Sequence, residues 1–203
     1  TATTKIYTLS LHDALPILSM GKRRRWSYLD LRGLELPQKP FRRFYFHQLD
    51  LRPGHQKLFS RLKSSHKRNI KKAANEGVTS AFFRSLASVR SFYHLNCMTR
   101  RKHGLPPQPF RFFRKLHEHV ISRGMGLVAL AMYRGMPIAG GIFLNLGKMA
   151  VYKFGASDPA WLHLRPNNLV MWESIQRSAE HTSALKSPNT TSYAGVCLTK
   201  NKI

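Results

Sequence analysis

The spacing of apolar positions changes along the chain, and each change marks an element. Residues 26–31 (WSYLDL) alternate apolar with polar and predict a strand closed by Gly33. Residues 41–51 (FRRFYFHQLDL) keep that spacing with aromatic and apolar side chains as far as Pro53 and Gly54, a pair that stops a strand. From 56 to 76 the period lengthens. Leu58, Leu62, Ile70 and Ala73 fall near one stripe and Gly77 follows, which predicts a single helix whose other sides are basic. Residues 78–83 predict a short strand, and 86–102 a second helix with Phe92, Leu95 and Thr99 on one side. Prolines at 106, 107 and 109 impose a loop over 103–109, because proline has no N–H and clashes with the preceding helical turn. A third helix is expected over 110–122, with Phe112, Phe113, Leu116 and Val120 as its stripe and Gly124 at its end.

Beyond Gly124 the period shortens again. Residues 127–133, 138–144 and 149–155 read as strands, joined by turns at 134–137 and 145–148. Connections this short exclude parallel neighbours, so the three form an antiparallel meander. After a loop over 156–166, residues 167–176 begin a helix that Asn167 or Asn168 is placed to cap. Strands, helices, a meander and a further helix make an α+β fold.

The chain is 42% hydrophobic, enough for a packed core, and no apolar run reaches the ~18 residues of a membrane span. The basic cluster at 22–25 follows the nearby apolar stretch instead of preceding it, the reverse of a secretory leader. Two cysteines, Cys97 and Cys197, make no disulfide framework and point to a reducing compartment. Charge alters the picture most: 34 Lys and Arg oppose nine Asp and Glu, a net +25. A surface this positive attracts RNA, DNA, phosphorylated precursors or an anionic membrane face, without choosing between them.

Both ends read as foreign. Residues 1–17 (TATTKIYTLSLHDALPI) resemble a translated sequencing adapter, and 177–189 (RSAEHTSALKSPN) resemble its companion. The expected division is a non-native segment over 1–17, a partial domain over 18–176, and a non-native or disordered tail over 177–203. The central stretch keeps 29 basic and seven acidic residues, a net +22.

Seven segments in order carry a family resemblance: YLDLRG at 28–33, HQLDL at 47–51, KRNIKKAANEGV at 67–78, FYHLNCMTRRKHGLPPQP at 92–109, VALAMYRGMPIA at 128–139, VYKFGASD at 151–158 and RPNNLVMWESI at 165–175. Together they resemble the FemAB-like branch of the GNAT superfamily over nearly all of 18–176. The resemblance implies a GNAT-like mixed sheet with a central antiparallel meander flanked by helices, the meander leading into a helix whose N-terminus faces an acyl donor. It implies an N-acyltransferase that moves an acyl or aminoacyl group to an amine of a cell-envelope precursor, peptidoglycan or polysaccharide. Acyl-CoA or aminoacyl-tRNA would be the donor substrate, with no permanently bound cofactor. The implied partners are tRNA or a phosphorylated envelope precursor, met in the cytoplasm or at the inner face of the membrane. The family pattern goes on to a Gly-containing, D-F-G-R-like strand, whereas this chain enters the adapter-like segment at Arg177. The C-terminal part of the fold is therefore expected to be missing, and the chain inactive as it stands.

Such a transfer asks little of side chains. A neutral amine attacks a thioester or ester carbonyl, backbone N–H groups hold the oxyanion, and a base or water takes the proton. The strand at 149–155 and the helix after it should present those donors, so Phe154, Gly155, Arg165, Asn167 and Asn168 are the expected donor-binding residues. A helix N-terminus attracts anions, and Arg165 just before it could meet a phosphate. RPNN at 165–168 lacks the Gly-x-Gly spacing that wraps backbone around a pyrophosphate, which disfavours ordinary acetyl-CoA and leaves room for a tRNA-linked donor. Tyr152 and His103 are the candidate catalytic groups. Arg100 and Arg101, at a helix end beside the proline loop, are candidate acceptor or phosphate contacts. So are Arg68 and Lys72, on a helix that also carries Arg61, Lys63, Lys67 and Lys71. Each has a plain reading too, as a solvated face or a complement to a helix dipole. His117-Glu118-His119 is rejected as a metal site, because i and i+2 on a helix point apart and the H-E-x-x-H spacing is missing. Two other classes fit the same residues: a basic, non-catalytic RNA- or DNA-binding protein, and an inactive gene fragment.

Overall fold

The computed structural model of the protein describes residues 47–146, 149–184 and 193–196, with 16, 19, 20 and 23–25 upstream. The chain divides into Phe46–Thr199 and a second unit, Thr1–Tyr45 with Lys200–Ile203. Within the second unit the Ser19 hydroxyl donates to the Pro16 carbonyl at 2.8 Å and the Arg24 N–H to the Met20 carbonyl at 2.9 Å, the spacing of a helical turn. The strand expected at 26–31 and the first part of that at 41–51 lie outside the described residues. So do most of the first adapter-like segment and the end of the second.

Phe46–Thr199 begins with strand β1 (His47–Asp50), helices α1 (Gly54–Ser60) and α2 (Ser64–Asn75), and strand β2 (Thr79–Phe83). Helices α3 (Leu86–Lys102) and α4 (Phe110–Leu116) follow, α4 widening into a π-helical turn (His117–Ile121). Then come β3 (Gly126–Tyr133), β4 (Met136–Leu146) and β5 (Met149–Ser157). A 3-10 helix (Pro159–Leu164), helix α5 (Pro166–Ala184) and β6 (Tyr193–Val196) complete it. The strand order is β1-β6-β5-β4-β3-β2, with β5 and β6 parallel and the other neighbours antiparallel. This is the mixed sheet with a central antiparallel meander that the resemblance implied.

Alternation along β3 builds two cores. Leu127, Ala129, Ala131 and Tyr133 face Leu58 of α1, Ile70 and Ala73 of α2, and Leu169 and Trp172 of α5. Val128, Leu130 and Met132 face Val89, Phe92 and Leu95 of α3 and Phe113 of α4. Phe92 and Phe113 are fully buried, each worth about 2 kcal/mol of apolar burial.

Several boundaries differ from the sequence reading. The single helix at 56–76 is two helices, broken where Lys63 turns extended (ψ 144°). On one continuous helix Leu58 and Ile70 would point about 120° apart, and the break lets both reach the core. Phe112, placed in the apolar stripe of the third helix, is 45% exposed. The widened turn that follows rotates the buried face from Val120 to Ile121. The turn expected over 134–137 is only Arg134 and Gly135, both at positive φ (49° and 78°), while Pro137 already pairs with Met132. The segment set aside at the C-terminus carries structure. Helix α5 continues past Gln176 to Ala184, held by the buried Ala179 and by Arg177 over the Phe82 ring at 5.1 Å. Strand β6 then pairs with β5 where the C-terminal part of the sheet was expected to be missing.

Candidate active site

Strand β5 changes character halfway along. Met149 to Tyr152 pair with β4 on one side and β6 on the other. Val196, the last described residue of β6, pairs with Tyr152. At that point the β4 register shifts: Ile142 pairs with Phe154 and Phe143 with Tyr152, leaving Lys153 as the extra residue of a bulge. From Lys153 to Ser157, β5 has no second partner strand among the described residues. From Lys153 to Ala156 no described strand covers that edge, and β5 leads through the 3-10 helix into α5. Asp158 caps the 3-10 helix, accepting from the Ala160 N–H at 3.0 Å.

Arg165 makes the turn into α5. Its backbone is left-handed (φ 59°, ψ 36°), a conformation that costs a non-glycine residue about 1 kcal/mol. Its N–H donates to the Leu162 carbonyl at 3.1 Å, its carbonyl accepts from the Asn168 N–H at 3.1 Å, and its side chain is exposed. Pro166 opens the helix, so Asn167 and Asn168 stand inside the first turn and neither caps it. Asn168 instead reaches across to α2, its Nδ2 lying 3.4 Å from His66 Nδ1.

The far end of α3 arrives at the same place. Thr99 Oγ1 donates to the Ser157 carbonyl at 3.1 Å and accepts from the Ser157 N–H at 3.0 Å, clamping the helix to the last residue of β5. His103 follows as the C-cap of α3, its N–H donating to the carbonyls of Thr99 and Arg100. Its ring is exposed, and among the described residues no group orients it. Arg100 binds the Pro106 carbonyl through Nε and Nη2, at 3.1 and 3.0 Å, and so ties down the proline loop, while Arg101 beside it is exposed. Antiparallel registry brings the β3–β4 turn, with Arg134, to this end of the sheet as well. Arg101, Lys102, His103, Arg134, His163 and Arg165 thus come from three separate segments to the end where β5 finishes, with Asp158 as the nearby carboxylate.

Side chains on β5 divide between the two faces. Phe154, expected at the donor, packs into the α3–α4 core, 5.4 Å from Phe113 and 6.0 Å from Phe112. Tyr152 lies on the opposite face against Phe143, ring centroids 5.1 Å apart. Its hydroxyl passes directly over Gly155, where a Cβ would overlap it, and a Cβ on Gly141 would stand 2.7 Å from its ring. Two glycines therefore make the bed of this tyrosine. Burial pushes the phenol up to about 12, so Tyr152 keeps its proton at neutral pH.

Arg68 and Lys72 stand exposed on α2, and no described carboxylate pairs with them or with Arg61, Lys63 and Lys71. His117 contacts the Arg84 carbonyl at 3.0 Å and Glu118 pairs with Lys115 at 2.9 Å. Among the described residues no group of three His, Cys, Asp or Glu could hold a metal, and no helix is long and apolar enough to cross a membrane. Sequence reasoning missed the Thr99 clamp and the bulge at Lys153. The only trace of the clamp was a threonine at an inward position of an apolar helix.

The family described as Acetyltransferase (GNAT) domain matches residues 60–184, more than half of the chain. No curated protein matches the sequence. Among solved structures, FemX superposes with a TM-score of 0.65 at 10% identity, over 77% of this chain and 53% of that one. The C-terminal domain of a putative lysylphosphatidylglycerol synthetase from Agrobacterium fabrum gives a TM-score of 0.50 at 10% identity, over 75% of this chain and 48% of that one. The chain spans about half the length of each, and at such identity the likeness is one of fold.

Proposed function

The chain belongs to the GNAT acetyltransferase-domain family, and from that premise we propose that it moves an acyl or aminoacyl group to an amine of a cell-envelope precursor. The edge of β5 beyond Tyr152, which no described strand covers and which lies beside the start of α5, is the observation that carries this reading. Edge N–H groups fixed in a sheet are preorganised to hold the oxyanion that forms when an amine adds to the donor carbonyl. Tyr152, protonated at working pH, supplies the proton that the leaving sulfur or oxygen takes up. The amine loses its own proton to water or to His103 at the α3 end. Arg101, Arg165 and the first turn of α5 suit the phosphates of the donor or of the acceptor.

The envelope acceptor follows from the FemAB-like resemblance and from a fold neighbour whose name joins a lysyl group to phosphatidylglycerol. A positive surface also suits work at the anionic inner face of the membrane. Donor choice separates in one assay: the chain is offered an alkylamine with radiolabelled acetyl-CoA, and in parallel with charged tRNA. Label should pass to the amine from one of them, and transfer from neither would sink the reading. A second reading, a basic RNA-binding protein, is favoured by Arg68, Lys71 and Lys72 on α2, which pair with no described carboxylate. It requires RNA affinity that falls steeply between 50 and 200 mM salt, by about 10³-fold or more, with no transfer at all. That residues 1–17 and 177–189 are foreign is a separate proposal, tested by reading the genomic DNA on either side.

A further inference from the structure

Residues 105–112 (LPPQPFRF) join α3 to α4 along the outside of the molecule. Leu105 is 46% exposed and Phe112 45%, and Pro106, Pro107 and Pro109 between them are exposed as well. Apolar side chains this open, gathered on one stretch of chain, mark an interaction surface, as a lone exposed leucine does not. The stretch is held in place at both ends. The Leu105 N–H donates to the Arg100 carbonyl at 3.0 Å, and the Arg100 guanidinium binds the Pro106 carbonyl. At the other end the Phe110 ring packs on Tyr93, centroids 5.2 Å apart, with the Arg90 guanidinium over it at 5.1 Å. Phe112 stands edge-on to Phe113 and Phe154, at 5.3 and 6.0 Å. The apolar groups are thus presented to solvent on a fixed backbone.

Their surroundings are cationic. From Gly77 to His117 the chain carries eight Lys and Arg and no Asp or Glu. Arg101 and Lys102 precede the loop, Arg111, Arg114 and Lys115 follow it, and all five are exposed. Lys115 engages Glu118 at 2.9 Å, whereas Arg111 pairs with no described carboxylate. Apolar groups that project among cations match an anionic bilayer. The apolar atoms leave water below the headgroups, and the Lys and Arg heads stay at the level of the phosphates. RNA would meet the same cations but finds no stacking face on leucine or proline.

We propose that the proline loop and the start of α4 dock this chain on an anionic lipid bilayer, with Leu105 and Phe112 entering the interface and Lys102, Arg111 and Arg114 meeting lipid phosphates. The docking does not depend on the transfer reaction proposed above. It does bear on it, because Thr99, the neighbour of Arg100 on α3, is clamped to Ser157 at the end of β5. Where that reaction also holds, a docked chain favours an acceptor anchored in the membrane.

Co-sedimentation of the full chain with lipid vesicles tests the proposal. Vesicles of phosphatidylglycerol mixed with phosphatidylcholine should bind it about ten-fold or more tighter than vesicles of phosphatidylcholine alone. Leu105→Ser and Phe112→Ser should each weaken binding to the mixed vesicles by about three-fold or more. Leu105→Ser, on the loop, carries the test should Phe112→Ser fail to fold. Arg111→Glu with Arg114→Glu should weaken binding by about ten-fold or more. Arg61→Glu with Lys71→Glu alters the net charge equally, on elements that pack against the opposite face of the sheet, and should weaken binding far less. No vesicle binding, equal losses from the two charge pairs, or binding indifferent to both serine variants overturns the proposal. RNA binding in place of vesicle binding, lost with Arg111 and Arg114 and untouched by Leu105→Ser, would assign the surface to nucleic acid instead. Self-association in place of vesicle binding, weakened by Leu105→Ser, would assign it to a second copy. Vesicle binding without transfer from either donor removes the reaction and keeps the docking surface.

Discussion

The two halves of β5 are the same strand put to different uses. From Met149 to Tyr152 it is paired on both edges and its backbone is committed to the sheet. From Lys153 to Ser157 it keeps β4 and has no second neighbour among the described residues, and its end is held by a side chain, Thr99. A single inserted residue separates the halves. The difference shows how one inserted residue divides a strand: the bulge re-aims the side chains beyond it, and the backbone there keeps a described partner on one edge only.

Filling the bed of Tyr152 should blur the two halves most. Gly155→Val puts a side chain where the Tyr152 hydroxyl lies, and the ring is already confined by Phe143 and Gly141. Overpacking of this kind costs about 1–3 kcal/mol and displaces the bare edge itself. Tm should fall, and any transfer activity by about 10²-fold or more. Tyr152→Phe asks a narrower question. The ring and its packing stay, the proton goes, and transfer should fall by about 10²-fold with little change in Tm. Because the phenol lies near 12, wild-type activity should show no alkaline loss from this group below about pH 11. A fall in Tm as large as that of the glycine variant would assign Tyr152 to packing alone.

Thr99→Val tests the clamp. It strips both partners from the Ser157 peptide group while keeping the shape of the side chain. A loss of about 1–3 kcal/mol is expected. If the clamp sets the acceptor edge, the acceptor KM should rise more than the donor KM. Equal rises would show that Thr99 stabilises the fold without shaping the site.

Much of the scaffold was legible because period and punctuation agree. The meander could be read from its two tight connections, and α3 from Leu86 to Lys102, where Ser85 caps the start by accepting from the Ser88 N–H at 3.2 Å. What escaped depends on tertiary packing. The break at Lys63 re-phases two halves of one apolar stripe, and the π-helical turn exchanges Val120 for Ile121. The site was legible by segment and not by side chain. Residues 149–168 do turn from strand to helix at the expected place, but Phe154 faces the core because the bulge at Lys153 moves it to the other side. Arg100 is occupied by a carbonyl six residues on, a contact that only the loop's fold-back creates. Thr99, which reads as filler in an apolar stripe, joins elements 58 residues apart.

The smallest effect should come from Glu173, a half-buried carboxylate on α5 and remote from β5 in the comparison above. Burial raises its pKa above the ordinary 4.5. The folded chain therefore holds this proton more tightly than the unfolded chain does. Below 4.5 the group is neutral in both states and carries no penalty. As pH rises past that value the unfolded chain ionises first, and stability is lost until the folded group ionises too. Glu173→Gln removes the penalty, so the variant should melt above wild type at pH 7, by about 0.5 kcal/mol or less, and coincide with it near pH 4. Transfer activity should be unchanged, since the side chain is placed in no part of the proposed chemistry. A drop in activity would extend the site along α5. A variant less stable than wild type at pH 7 would show instead that the carboxylate holds a partner worth more than its burial costs.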